Sequence, residues 1–272
     1  MGGYDLKENY VALREKQVVK ANDLIQKSHF SLSLLQQKIV LYLISQIEYT
    51  DKEFRLYEFD IREFCKVCGI DFDNGGNYTY LKEQIKEIAD KSLWITIEDE
   101  ETLLRWIEKP YINRKEGVIK IRLDEDMKPF LLQLKANFTQ YELIYTLHFK
   151  SKYTIRLYEL IKSIHYHELE TYERTYTVEE LQKLLDAEVY KTYQHFREKV
   201  IDKAIAEINE YSDKIVSYEP IKVGRRIGKI KLKIASKDTL KMLEIRAEID
   251  REMNFDPNQI SLWDNEEGAN NG

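Results

Sequence analysis

The chain has 272 residues, 43% apolar and 33% charged, with 10 glycines and 4 prolines, which excludes a disordered polymer and predicts a helix-rich fold large enough for two cores. No apolar run approaches the roughly 18 residues of a membrane span, the opening MGGYDLKENY lacks the apolar centre of a signal peptide, and two cysteines suit a reducing cytoplasm. The net charge of −6 argues against a uniformly basic protein, but no Lys or Arg follows Arg251 whereas Glu252, Asp256, Asp264, Glu266 and Glu267 do; charge is segregated, and the local field decides where a polyanion binds.

Residues 1–19 read as polar and loosely structured. In Ser31–Ile47, SLSLLQQKIVLYLISQI, Ser33 is a plausible cap for a helix that is apolar on nearly every side, which predicts burial in a core or a subunit contact. Phe54–Phe59 alternates as a strand, Asp60 can cap a helix over Ile61–Cys68, and DFDNGGN reads as loop. Tyr78–Leu93 follows as a helix with Tyr78, Leu81, Ile85, Ile88 and Ala89 on one face. Leu93–Ile97 turns to strand, and Thr102–Ile107 and Val118–Leu123 are expected to pair around a basic tip that holds Arg114 and Lys115.

The second half repeats this order. Thr139–Phe149 leads to a helix over Tyr153–His165, a strand at Arg174–Thr177 and a helix at Val178–Ala187, opened by a Thr177/Glu180 capping box. In the next helix, Thr192–Tyr211, the residues Tyr193, Phe196, Val200, Ala204, Ile208 and Tyr211 make an apolar stripe, and His195, Lys199 and Lys203 climb the opposite side. Arg197 projects into the stripe, so it is expected either to snorkel or to sit at the stripe's margin. Gln194, near the helix start, suits the edge of an adenine. Ile215–Tyr218 and Ile227–Ile234 then alternate as strands around a turn at Val223–Arg226, and from Lys214 to Lys233 seven basic residues face one acid, Glu219.

A helix pair with a basic outer face followed by a cationic hairpin describes a winged helix-turn-helix, whose helix enters the major groove of duplex DNA while the hairpin reaches phosphates or the minor groove. The expected contacts are Gln194, His195, Arg197, Lys199, Lys203, Lys222, Arg225, Arg226 and Lys229, joined by Arg114 and Lys115 from the first half. The predicted fold is α+β: two tandem winged helices related by internal duplication, over residues 1–137 and 138–250, with a disordered acidic tail at 251–272. In the first copy the outer face of the long helix carries Tyr80, Glu83, Gln84, Glu87 and Lys91, which is not cationic, so the second copy is expected to be the main reader.

Other chemistries find little footing. Cys65 and Cys68 have the spacing of a zinc knuckle, but no second ligand pair exists in the sequence. His165 and His167 would suit a metal-dependent nickase on a strand, but at a helix end they point about 200° apart. No GxxxxGK[ST] loop supports ATP-driven work. Neither a catalytic residue, a metal nor a cofactor is expected. A winged-helix transcriptional regulator shares every DNA-binding feature. In the tail, Gln259, Ile260, Ser261, Leu262 and Trp263 form a short apolar segment between polar flanks, suited to docking in a groove or to strapping back onto the second domain.

LSLLQQKIVLYLISQI, then KYTIRLYELIKSI at Lys152–Ile164, and the basic helix and hairpin after it resemble the iteron-binding replication initiators of bacterial plasmids, over about residues 18 to 245. The resemblance implies two winged-helix domains, no catalytic centre, and a C-terminal copy that holds the major groove of directly repeated origin sites. It also implies an N-terminal copy that alternates between dimer contact and DNA contact, with monomers starting replication and homodimers repressing the initiator's own gene. Gln259–Trp263 resembles the Gln-Leu-Ser/Asp-Leu-Phe peptide that grips the bacterial sliding clamp, with Ile260 and Trp263 as substitutes; the implied partners are DNA, a second copy and host replication proteins.

Overall fold

The computed structural model describes residues 16–68, 77–164 and 171–252. It opens with β1 (Gln17–Ala21), α1 (Asn22–Gln26), β2 (Ser28–His29) and α2 (Leu34–Ile44). Ser33 caps α2 reciprocally: its hydroxyl accepts from the Gln36 N–H, and the Gln36 side chain accepts from the Ser33 N–H. Ile39 and Leu43 are fully buried, with Leu34 and Leu35 partly buried against the core, so the apolar surface of α2 is largely consumed within this chain.

β3 is confined to Tyr57–Asp60, and Phe54 is buried ahead of it. Asp60 accepts from the Arg62 N–H at 2.8 Å and starts α3 (Ile61–Cys68). Cys65 is buried there, and burial, assisted by Asp60, pushes its thiol up to about 12, as suits an inert core residue. Gly69 and most of DFDNGGN lie outside the described residues. α4 (Asn77–Asp90) buries Leu81, Ile85 and Ile88.

The strand pairing expected in the first half is wrong. β4 (Ser92–Ile97) pairs with β5 (Glu100–Arg105), whereas β7 (Val118–Ile121) lies between β6 (Tyr111–Asn113) and β3; Ile107 and Leu123 meet only in an isolated bridge. The β4–β5 connection is Glu98-Asp99, with Glu98 at a φ of 55°. Two-residue hairpin loops favour Asn or Gly at such positions, so an acidic pair gives no turn signal. The tip bearing Arg114 and Lys115 therefore belongs to a second hairpin, not to the one that follows α4.

After a short helix α5 (Lys128–Leu131), β8 (Phe138–Glu142) pairs with β1 over five residues, so the strand that follows the expected division at 137 is joined to the start of the chain. α6 (Leu143–His148), α7 (Lys152–Ser163) and β9 (Thr171–Thr177) lead to α8 (Val178–Leu184), which carries the expected Thr177/Glu180 box. α8 ends short of Ala187 because Asp186 takes a φ of 55° and the N–H groups of Asp186 and Ala187 turn back to the carbonyls of Lys183 and Gln182. The long helix, α9, comprises Tyr193–Phe196, a π-helical turn Arg197–Ile201, and Asp202–Tyr211. β10 (Lys214–Val223), β11 (Arg226–Ser236) and α10 (Thr239–Glu252) complete the chain, with sheet order β10-β11-β9.

The two halves share one continuous core and a buried polar junction. Lys20 Nζ lies 2.6 Å from Glu159 Oε1, which also accepts from the Tyr141 hydroxyl at 2.6 Å. Arg156 sits 4.4 Å above the Phe30 ring and donates to the carbonyls of Ile25 and Leu184. Burial raises the Glu159 carboxyl, but Lys20, Arg156 and two hydrogen bonds outweigh it and hold the group below its usual value. Arg156 and Glu159 of RLYELIKSI thus fasten the first half to the second. His165 and His167 lie outside the described residues.

Candidate nucleic-acid interface

α9 begins where the Thr192 hydroxyl accepts from the His195 N–H. Phe196, Val200, Ala204, Ile208 and Tyr211 are buried, as are Ile201 and Ile205, and this fixes which way the helix faces. Gln194, His195, Lys199 and Lys203 are exposed on the other side. Among the described residues, no acid pairs with Lys199 or Lys203. Gln194 donates to Glu198 at 3.1 Å. Arg197 sits at the margin of the stripe, half-buried: its side chain is 42% exposed and reaches Glu198 (3.2 Å) and Asp202 (3.5 Å), which offset its charge.

The hairpin is longer than the alternation suggested, and its seven bases divide into two groups. Lys214 is buried, donates to the Ser236 hydroxyl at 2.7 Å, and has its pKa lowered by burial. Lys231 pairs with Glu173 at 2.6 Å and Lys233 with Glu219 at 2.5 Å. Lys222, Arg225, Arg226 and Lys229 remain, all exposed and, among the described residues, without an ion-pair partner. Gly224 supplies the positive φ (66°) of the two-residue loop. Two residues missed by sequence reasoning aim this wing. Asn209 on α9 exchanges two hydrogen bonds with the backbone of Val216, and the Tyr218 hydroxyl donates to Asp202 at 2.7 Å. Neither has a local signature, since each joins elements several residues apart.

The first half presents a weaker counterpart. Lys86 pairs with Asp90, and Lys91 with Glu87 at 3.3 Å, so α4 largely neutralises itself. Gln84 is buried and not on the outer face; it accepts from Ser33 (3.2 Å) and Gln36 (3.0 Å) on α2. At the tip of the second hairpin, Lys115 is exposed, and Arg114 lies 5.2 Å from the Tyr78 ring centre.

Among the described residues, His29, Asp186 and Glu188 bring possible metal-ligand atoms within 4.8 Å of one another. Asp186 already takes Lys152 at 2.6 Å and the Ser31 hydroxyl at 2.8 Å, and His29 Nδ1 donates to the Lys183 carbonyl at 3.1 Å, so these groups serve as contacts across the seam between the halves. Gln259, Ile260, Ser261, Leu262 and Trp263 lie outside the described residues. Among the described residues, no helix is long and apolar enough to cross a membrane.

The fold and these surfaces define a class, α+β proteins of two tandem winged helices in which the second presents a helix face and a cationic hairpin. Comparison with family models is specific: residues 17–162 match "Initiator Replication protein, WH1" and residues 177–234 match "Initiator Rep protein, WH2". The chain belongs to the initiator replication protein family. Among solved structures, it is similar to the crystal structure of Pi initiator protein in complex with iteron DNA, with a TM-score of 0.64 and 20% identity over 83% of this chain and 99% of that one. A search of curated protein sequences finds no match.

Proposed function

We propose that this chain is a plasmid replication initiator that binds directly repeated duplex sites at an origin. The observation that carries the reading is the distribution of unpaired charge. In a chain of net charge −6, Lys199 and Lys203 on α9 and Lys222, Arg225, Arg226 and Lys229 on the wing lack acidic partners among the described residues, whereas Lys86, Lys91, Lys231 and Lys233 have them. The kinship with initiator proteins, one of which was crystallised on iteron DNA, supports the same reading.

In this account α9 enters the major groove, with Gln194 and Lys199 at base edges and His195 and Lys203 beside them. Arg197 adds less, because its acids must first release it. The wing cations meet phosphates, and Arg114 and Lys115 give the first half an auxiliary contact. The work is mechanical and non-enzymatic: binding by several protomers on adjacent repeats bends and opens nearby A·T-rich DNA. The first half also pairs two chains as a homodimer in equilibrium with monomer, a role supported by Trp94 and Leu103, cross-strand neighbours on β4 and β5 that are about half exposed. Opened origin is then passed to host replication proteins in the cytoplasm, the sliding clamp among them through Gln259–Trp263.

Selection of bound fragments from a random duplex library tests the core of this proposal. One motif, enriched and bound as direct repeats, is expected. Enrichment of palindromes alone would make the protein a regulator, and no enrichment would refute sequence-specific binding.

A further inference from the structure

The end of the hairpin carries two aliphatic side chains that phosphate contact does not use. Val223 is 56% exposed and Ile221 is 36% exposed. In the antiparallel register Val223 lies opposite Arg226 and Ile221 opposite Lys229, so these four share one face of the ribbon; Lys222 and Ile227 share the other. The register slips between Ile221 and Lys222, which leaves Gly228 as an unpaired bulge. A Cβ on Gly228 would stand 2.7 Å from Val223 Cγ2 and 2.8 Å from its Cβ. Val223 therefore rests on bare backbone on one side and is open to solvent on the other, and its β-branch limits its rotamers.

A ribbon face with aliphatic side chains along its outer strand and cations along the next calls for an occupant of complementary build. The minor groove of duplex DNA has phosphates along both rims and sugar and base edges on its floor. The floor differs between base pairs in one group: G·C adds the guanine N2 amino donor where A·T shows only acceptors. An aliphatic side chain seated there cannot accept that donor and would strip it of water.

We propose that Ile221 and Val223 form an aliphatic wedge that seats in the minor groove and selects A·T over G·C pairs beneath the wing. The wedge rests on the duplex binding proposed for the second winged helix, and it adds base discrimination to a hairpin whose cations are proposed to meet phosphates. Gly228 is its structural requirement, because any side chain there would displace Val223.

The experiment uses the full chain and a duplex carrying the selected site, with the pairs under the wing located by footprinting. Each A·T pair there is replaced in turn by G·C, by inosine·C, which keeps the G·C major groove but lacks the minor-groove amino group, and by diaminopurine·T, which adds that group to A·T. G·C and diaminopurine·T should each weaken binding about fivefold or more, while inosine·C binds like A·T. In the Ile221→Ala/Val223→Ala double variant the discrimination should fall below about twofold with an unchanged salt dependence, and Val223→Ile should retain it. Inosine·C binding as weakly as G·C, or discrimination that survives the double Ala change, would overturn the wedge while leaving duplex binding in place. Failure of the unaltered chain to bind any duplex would overturn both.

Discussion

Replacing Arg225 and Arg226 together by Ala tests whether the wing lies on DNA. Both guanidiniums are exposed and neither has an acidic partner among the described residues, so each is free to neutralise one phosphate. Each neutralised phosphate releases about 0.9 of a counterion, so the slope of log affinity against log salt should fall by roughly 1.8. At about 0.1 M salt that corresponds to a loss of roughly 60-fold, about 2.4 kcal/mol, on every duplex sequence alike. Arg197→Ala is the internal contrast: Glu198 and Asp202 already share its charge, so its slope should change by well under about one unit. Fluorescence anisotropy titrations at several salt concentrations give both numbers, and circular dichroism confirms that the hairpin variant is folded. An unchanged slope in the double variant would remove the hairpin from the interface.

Gln194→Ala or Lys199→Ala should instead cost about 1–3 kcal/mol at one or two base pairs of the selected site; a uniform loss on all sequences would reassign them to the backbone. Glu159→Gln should destabilise the fold by about 3–5 kcal/mol in urea titrations, because it leaves Lys20 buried without its counter-charge, and a change below about 1 kcal/mol would show that water reaches this junction. The Glu159 carboxyl is held below its ordinary value, so the stability it confers is present above about pH 4.3 and is lost as pH falls through the lower folded value; the gap between wild type and variant should narrow below about pH 4. A synthetic peptide spanning Asp256–Asn265 should bind purified sliding clamp with a dissociation constant on the order of micromolar, and Ala at Gln259, Leu262 and Trp263 should abolish binding. No binding by the unaltered peptide would end that assignment.

Local chemistry made much of this molecule legible. The Ser33 cap and the Thr177/Glu180 box mark helix starts through contacts only three residues apart. The apolar period of α9 separates its buried face from the exposed one that bears His195, Lys199 and Lys203, because a helix converts spacing directly into direction. The wing was visible for the same reason, as alternation on either side of a glycine turn. The acidic Glu98-Asp99 turn broke that rule, and with it went the pairing of β4 with β5.

Only the tertiary structure decided which charges remain free. Lys214 and Lys222 look alike as letters, yet one is buried beside Ser236 and the other stands in solvent. Lys231 and Lys233 lose their availability to Glu173 and Glu219, which neighbouring strands bring across the sheet. Charge alone would leave Arg156 and Glu159 in solvent, but β1, from the far end of the chain, closes over them and makes them the junction of the two halves. Periodicity specifies the side of an element on which a residue lies; whether its charge meets water, an acid or a carbonyl depends on what folds to within about 4 Å of it, and for Lys231, Arg156 and Glu159 that partner lies many residues away in the sequence.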